Sequence, residues 1–247
     1  MPTILGASAS GMIHNQNVLD VVGHNIANVN SYAYKKFRPV HEGLPAPQVD
    51  PDGGRLGVAE TTRDLVFSQG ALELTENPLH FALQDDAFVR VQDFDGREVY
   101  TRFGGLQADV EGNILAFRGR HLSPPIAMPE GWTQPAVDQF GNISAVNESG
   151  EREDIGQLTL VKFRNPQGLE TLGDGFYGET ANTGEITVGT AGTEGFAPLR
   201  AGALEDSNVD VAEEFTNMLI AQRAYTACAK TFSVGDEMLA LATKITQ

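Results

Sequence analysis

The chain has 247 residues, 41% of them hydrophobic, with 17 Lys and Arg against 33 Asp and Glu for a net charge of −16. Such a composition buries a real core, enough for one large or two modest domains, and its acidic excess repels nucleic-acid phosphates and anionic lipid, so neither is an expected partner. The single cysteine, Cys228, excludes an intrachain disulfide, and the absence of a basic leader or a long apolar run gives no cleaved signal peptide and no direct membrane insertion.

Charge is unevenly spread. Residues 1 to 30 carry one charged side chain, Asp20, whereas residues 31 to 205 carry −12. A nearly uncharged start suits close packing against other copies, and an acidic middle suits a solvated layer.

The first 26 residues read as a helix, with Leu5, Ala9, Met12, Gln16, Leu19, Gly23 and Ile26 recurring in alternating steps of four and three and Val18 and Val22 beside them. From Phe37 to about Thr75, Pro39, Pro45, Pro47, Pro51 and the run Asp52-Gly53-Gly54 predict an irregular or extended connector. A β-rich stretch follows. Phe88, Val89 and Val91 lead through Asp95-Gly96 to Val99 and Tyr100, a hairpin signal. Further strands are expected at Leu106 to Val110, Ile114 to Phe117, Ile143 to Val146 and Leu158 to Phe163, separated by Glu111-Gly112-Asn113, Gly119 and Gly141-Asn142.

The chain closes on a second helix. Asp210 with Glu213 fits a capping box, and Ser207 with Asp210 overlaps it. Val211, Phe215, Met218, Gln222, Tyr225, Ala229, Phe232 and Leu239 form one stripe, and Ile220, Ala224, Ala227, Val234, Met238, Leu241 and Ile245 a second, so this helix is apolar on more than one side. As one element over 210–245 it spans about 54 Å, against about 30 Å for a small domain, and must project beyond its own core. Eight apolar side chains are worth about 12–24 kcal/mol gross when buried, so a partner covers them.

No chemistry converges. His14, His24, His41, His80 and His121 lack a second ligand at metal-binding spacing, and Gly6-Ala7-Ser8-Ala9-Ser10-Gly11 lacks the spacing of a nucleophile elbow. Asp85 and Asp86, as neighbours in extended chain, point apart and suit a turn or a solvated edge. Trp132 reads as an anchor of the β-region. The expectation is no catalytic residue, no metal and no cofactor.

Both ends carry recognisable motifs. Ala9-Ser10-Gly11-Met12, Asn25-Ile26-Ala27-Asn28-Val29-Asn30-Ser31 and Tyr34-Lys35-Lys36 at the front resemble, with Leu204-Glu205-Asp206-Ser207-Asn208-Val209-Asp210-Val211 and Gln222-Arg223-Ala224-Tyr225 at the back, the signatures of the bacterial flagellar basal-body rod and hook proteins. Asn77-Pro78-Leu79, Tyr100-Thr101-Arg102, Asn165-Pro166-Gln167-Gly168-Leu169 and Leu172-Gly173 resemble the rod members, of distal type first and proximal type second. Three positions depart from the family pattern: Ala33 stands for the usual Gly, His80 for Asp, and Asp85-Asp86-Ala87 for a Gly-Asp-Gly turn.

The resemblance implies an α+β fold, with long N- and C-terminal helices packed as a coiled-coil-like pair and a central, mainly antiparallel β-domain. The expected division is 1–36 as N-terminal helix of an inner polymerisation domain, 37–76 as extended connector, 77–205 as outer β-domain and 206–247 as C-terminal helix of the inner domain. It also implies a non-enzymatic subunit that assembles helically into a hollow drive shaft transmitting torque towards the hook, in the periplasm-spanning rod of the flagellum. Export would run through the flagellar type III export apparatus, without a cleaved signal peptide. Implied partners are further copies of itself, other rod proteins, the hook protein and the periplasmic and outer-membrane rings.

The expected assembly interface comprises Leu5, Met12, Leu19, Ile26, Val211, Phe215, Met218, Gln222, Tyr225, Phe232 and Leu239, with Asn25, Asn28 and Asn30 shaping the junction where the first helix stops. A rod-to-hook adaptor is an alternative within the family. A soluble dimeric β-domain binding protein or enzyme is the alternative outside it.

Overall fold

The computed structural model describes residues 2–40, 62–193 and 195–245. Within them the chain is a mixed α+β protein whose middle is mainly antiparallel sheet, flanked by helix α1 (Pro2–Ala27) and helix α2 (Val211–Ile245). It divides into two compact units, one of Met1–Val29, Lys36–Val66 and Val209–Gln247, the other of Asn30–Lys35 and Phe67–Asn208.

In the first unit the two helices run antiparallel: Leu5 lies at Gly235, Gly11 at Cys228 and Asn25 at Glu214. α2 begins as its sequence dictates, because Asp210 Oδ1 accepts hydrogen bonds from the backbone N–H of Ala212 at 2.8 Å and of Glu213 at 3.2 Å, the orphan donors of a first turn. Glu213, expected to complete a reciprocal box, instead accepts from Lys36 Nζ at 2.8 Å. At 35 residues α2 is about 52 Å long. Strands Phe37–Val40 and Thr62–Leu65 form an antiparallel ribbon in the same unit. They lie in the stretch expected to be a connector, while Pro45, Pro47, Pro51, Asp52-Gly53-Gly54 and His41 lie outside the described residues.

The second unit is built on strand Ala87–Gln92. One of its edges pairs with Glu98–Thr101, while the other is shared between Leu160–Phe163 at its start and His121–Ala127 at its end. The fork bends the sheet around a core containing Phe81, Leu83, Val89, Val91, Leu106, Ile114, Leu158, Leu160 and Phe176. A smaller three-stranded sheet, Thr133–Val137, Asn142–Val146 and Arg152–Gln157, sends Val137 and Ile143 into the same core. Beside it Phe67, Phe88, Phe163 and Tyr177 meet edge to face at 5.4–5.7 Å between centroids.

Four turns share one design. In Asp93–Arg97, Asp109–Asn113, Asp138–Asn142 and Asn147–Glu151 the first residue bonds to the fifth, and the fourth, always Gly, donates back to the first. Those glycines, Gly96, Gly112, Gly141 and Gly150, have φ of 76–84°, a conformation in which a Cβ is strained. Among the strands that the sequence reading missed, two hold proline. Pro124 and Pro125 sit in His121–Ala127 between its two pairing stretches, and Pro135 sits at a register shift in the edge strand Thr133–Val137. At both places a missing N–H costs no ladder bond.

Asp85 lies in a bend ahead of Ala87 and accepts from the Ala87 and Ala197 backbone N–H groups and from Lys162 Nζ. Trp132 is half-buried outside the core cluster rather than an anchor within it. Cys228 is half-buried, against Gly11. Phe117, expected to end a strand, instead opens a 3-10 turn, Phe117–Gly119, with Arg118 at φ 59°.

Candidate functional site

Two features stand out, one in each unit. In the helix pair the residues closing on each other are small or polar: Ser8, Gly11, Val22 and Asn25 on α1, and Glu214, Ala221, Cys228 and Gly235 on α2. A Cβ on Gly11 would lie 2.8 Å from Cys228 Sγ, and one on Gly235 would lie 3.0 Å from Leu5 Cδ2, so the glycines set the close approach of the two backbones. Each inward row sits one residue before the stripe read from the sequence, about 100° around the helix.

The expected interface residues therefore divide. Leu5, Met12, Leu19 and Ile26 are half-buried, as are Met218 and Leu239. Val211, Phe215, Gln222, Tyr225 and Phe232 are exposed. With them Leu219, Ile220, Val234, Met238 and Leu241 also face outward, from 37% exposed at Phe232 to 61% at Leu241, so α2 keeps large apolar side chains in water along its length.

The asparagines act locally. Asn25, fully buried, grips the backbone of Phe37 through both ends of its amide, Nδ2 to Phe37 O at 2.8 Å and Phe37 N to Oδ1 at 2.9 Å, and also donates to Glu214 Oε2 at 3.3 Å. Asn28 Nδ2 donates to His24 O at 2.9 Å, satisfying a carbonyl of the last helical turn. Asn30 is exposed. Burial holds the Glu214 carboxyl above the usual carboxylate range, against the opposing pull of Asn25 and Lys36.

The second feature is a buried cluster of three charges. Glu205 accepts from Lys35 Nζ at 2.5 Å and from the Gly70 backbone N–H at 2.9 Å on Oε1, and from Arg102 Nε at 3.3 Å on Oε2, all three side chains being at most 1% exposed. Arg102 also donates to the carbonyls of Ala87 and Asp85 and lies over the Phe88 ring, while Lys35 donates to Ser68 O at 2.8 Å. Burial lowers the Lys35 ammonium to about 8, with Arg102 pushing the same way and Glu205 opposing. The sequence reading quoted all three residues inside motifs yet missed that they meet. Each motif is local, and Lys35 and Glu205 are 170 positions apart.

Nearby, Ala33 donates its N–H to Glu205 O at 2.7 Å from a left-handed backbone, φ 56°. This is the position where the resemblance expected glycine, and alanine stands there with a left-handed backbone. His80, the other departure, has Thr75 Oγ1 and Asn77 Nδ2 within 3.0–3.1 Å of its ring nitrogens.

Among the described residues no group of three or more His, Cys, Asp or Glu could hold a metal ion, and no helix is long and apolar enough to cross a membrane. A polar clasp within the sheet unit, together with large apolar side chains left in water along α2, is the mark of a structural subunit.

Comparison with known proteins identifies the family. Residues 200–245 match the flagellar basal body rod FlgEFG protein C-terminal family, and residues 82–145 match the flagellar hook protein FlgE/F/G D1 domain. The flagellar basal-body rod protein FlgG of Borreliella burgdorferi is 33% identical over 99% of both chains, and that of Bacillus subtilis 32% identical over 95% of this chain and 96% of its own. The flagellar hook protein FlgE of Borreliella burgdorferi is 42% identical over 103 residues, which are 42% of this chain and 23% of that one. The chain belongs to the flagellar basal-body rod protein family, and is a structural protein rather than an enzyme.

Proposed function

We propose that the chain is a building unit of the distal rod, polymerising helically through its two terminal helices into a hollow shaft that transmits torque to the hook. The observation that carries this reading is the outward face of α2, where Phe215, Leu219, Ile220, Val234 and Leu241 remain in water although burying each is worth about 1.5–3 kcal/mol. In a family of rod proteins the natural cover is another copy. A heterologous contact of that kind repeats without closing and gives a filament.

On this reading α1 and α2 form a coiled-coil-like inner polymerisation domain, 1–36 and 206–247, and residues 77–205 form the outer β-domain, with 37–76 between them. The interface holds Leu5, Met12, Leu19, Ile26, Val211, Phe215, Met218, Gln222, Tyr225, Phe232 and Leu239. The subunit would leave the cell through the flagellar export apparatus without a cleaved signal, join other rod proteins and the hook protein, and pass through the periplasmic and outer-membrane rings. The match of full-length rod proteins to nearly the whole chain supports the rod over the hook.

Phe215→Asp is expected to abolish rods and motility while the sheet unit keeps its circular dichroism and its denaturation midpoint. Normal rods in that variant would refute the seam. Electron microscopy of basal bodies with a labelled copy would separate a distal from a proximal or adaptor position.

A further inference from the structure

Asp20 is the only charged side chain in residues 1–30, and it stands exposed on α1 in an outward row with Gly6, Ile13, Gln16, Gly23 and Ala27. Apart from Asp20 and Ile13, which is 62% exposed, the row is small or uncharged and admits a close neighbour. On α2, Arg223 and Lys230 stand seven residues apart along a shallow groove that Leu219, Gln222, Thr226 and Ala227 complete. None of Asp20, Arg223 and Lys230 takes part in an ion pair among the described residues.

A carboxylate taken into a packed contact is costly without a counter-charge. The acids on the first turn of α2 are already engaged, Glu213 by Lys36 and Glu214 by Asn25. We propose that the outward row of α1 on one copy lies in the Leu219–Lys230 groove of α2 on a neighbouring copy, with Asp20 paired to Arg223. The proposal rests on the polymer reading above.

Direction follows from the single sense of the filament, and register from the charges. Copies repeated in one sense along a filament present α1 and α2 to each other antiparallel, as within the chain. With Asp20 opposite Arg223, Gln16 comes opposite Ala227, and Ile13 meets the aliphatic stem of Lys230, which can cover it. Run in the same direction with Ile13 over Lys230, the helices would set Asp20 against Glu237 and repel. The antiparallel register is four residues out of step with the chain's own pairing, where Gly11 faces Cys228, a shift of about 6 Å along the axis. A contact displaced in that way cannot be satisfied by the same chain and passes on to the next copy.

The test uses the full chain in assembled rods. Asp20→Cys with Arg223→Cys, in a Cys228→Ala background, should give linked dimers and a ladder on a denaturing gel after mild oxidation. Rods that form without such links, a link confined to one chain, or links formed instead by Asp20→Cys with Glu237→Cys would each overturn the pairing and leave the polymer reading standing. Failure of the unaltered chain to form rods would overturn both. Asp20→Arg and Arg223→Asp should each lower rod yield at least about tenfold, and the double exchange should restore it to within about threefold. Single variants that assemble normally, or a double exchange that restores nothing, count against the pairing. If a charge variant fails to fold, the cross-link decides alone.

Discussion

At the level of single residues the chain bears one strain it could shed. Ala33 holds a left-handed backbone while its N–H is committed to Glu205 O. Ala33→Gly removes the Cβ clash and should raise stability by about 0.5–1 kcal/mol in a urea titration, less the entropy glycine adds to the unfolded chain. An unchanged or lower midpoint would show that the turn tolerates the alanine without strain. The charge cluster is asymmetric. Arg102 is tied to Glu205 and two carbonyls, so Arg102→Met leaves Glu205 with only the weakly held charge of Lys35 and should cost about 3–5 kcal/mol. Lys35→Met discards a cation whose burial already disfavours it, and should cost clearly less. Equal losses in the two variants would contradict that ranking.

At the level of elements, Glu214 is the polar residue that α2 brings against α1. Its carboxyl is raised by burial. Between the ordinary carboxylate value and the raised one, the folded chain holds a proton that the unfolded chain has released, so stability falls as pH rises through that window. Glu214→Gln should therefore flatten the acid limb of the helix melting curve and raise stability at neutral pH. A pH profile that is unchanged by the substitution would show that the carboxyl is already solvated.

The helices were the most legible part of the sequence, because their period is long and their ends are marked by Asn28 and Asp210. Their facing was less so. A hydrophobic period picks out the largest apolar side chains, whereas this pair closes through Ser8, Gly11, Ala221, Cys228 and Gly235, where small size matters more than hydrophobicity. The hairpin at Gly96 and the strands at Ile143 and Leu160 were readable for their alternation and their glycine turns. Strands holding Pro124, Pro125 and Pro135 were not, since proline signals a break unless the register shift beside it is known.

At the level of the whole molecule, the acidic surplus and the apolar helix faces make opposite demands. On the proposed reading, charge keeps copies apart in dilute solution, and burial draws them together once the helices align. The purified chain should accordingly show a sedimenting mass that keeps growing with concentration and with added salt, which screens the repulsion. A mass that stops at two copies at every concentration would identify a closed dimer in place of a filament.

Lys35 Nζ holds Ser68 O and Glu205, Asn208 N donates to Tyr34 O, and Asn208 Nδ2 reaches Ser68, so the points where the chain enters and leaves the sheet unit are fastened side by side. The long segment Phe67–Asn208 of that unit thus begins and ends at one place, and such a segment can be exchanged for another of different size through a single doorway. Lineages could therefore restyle that segment while leaving the helices untouched.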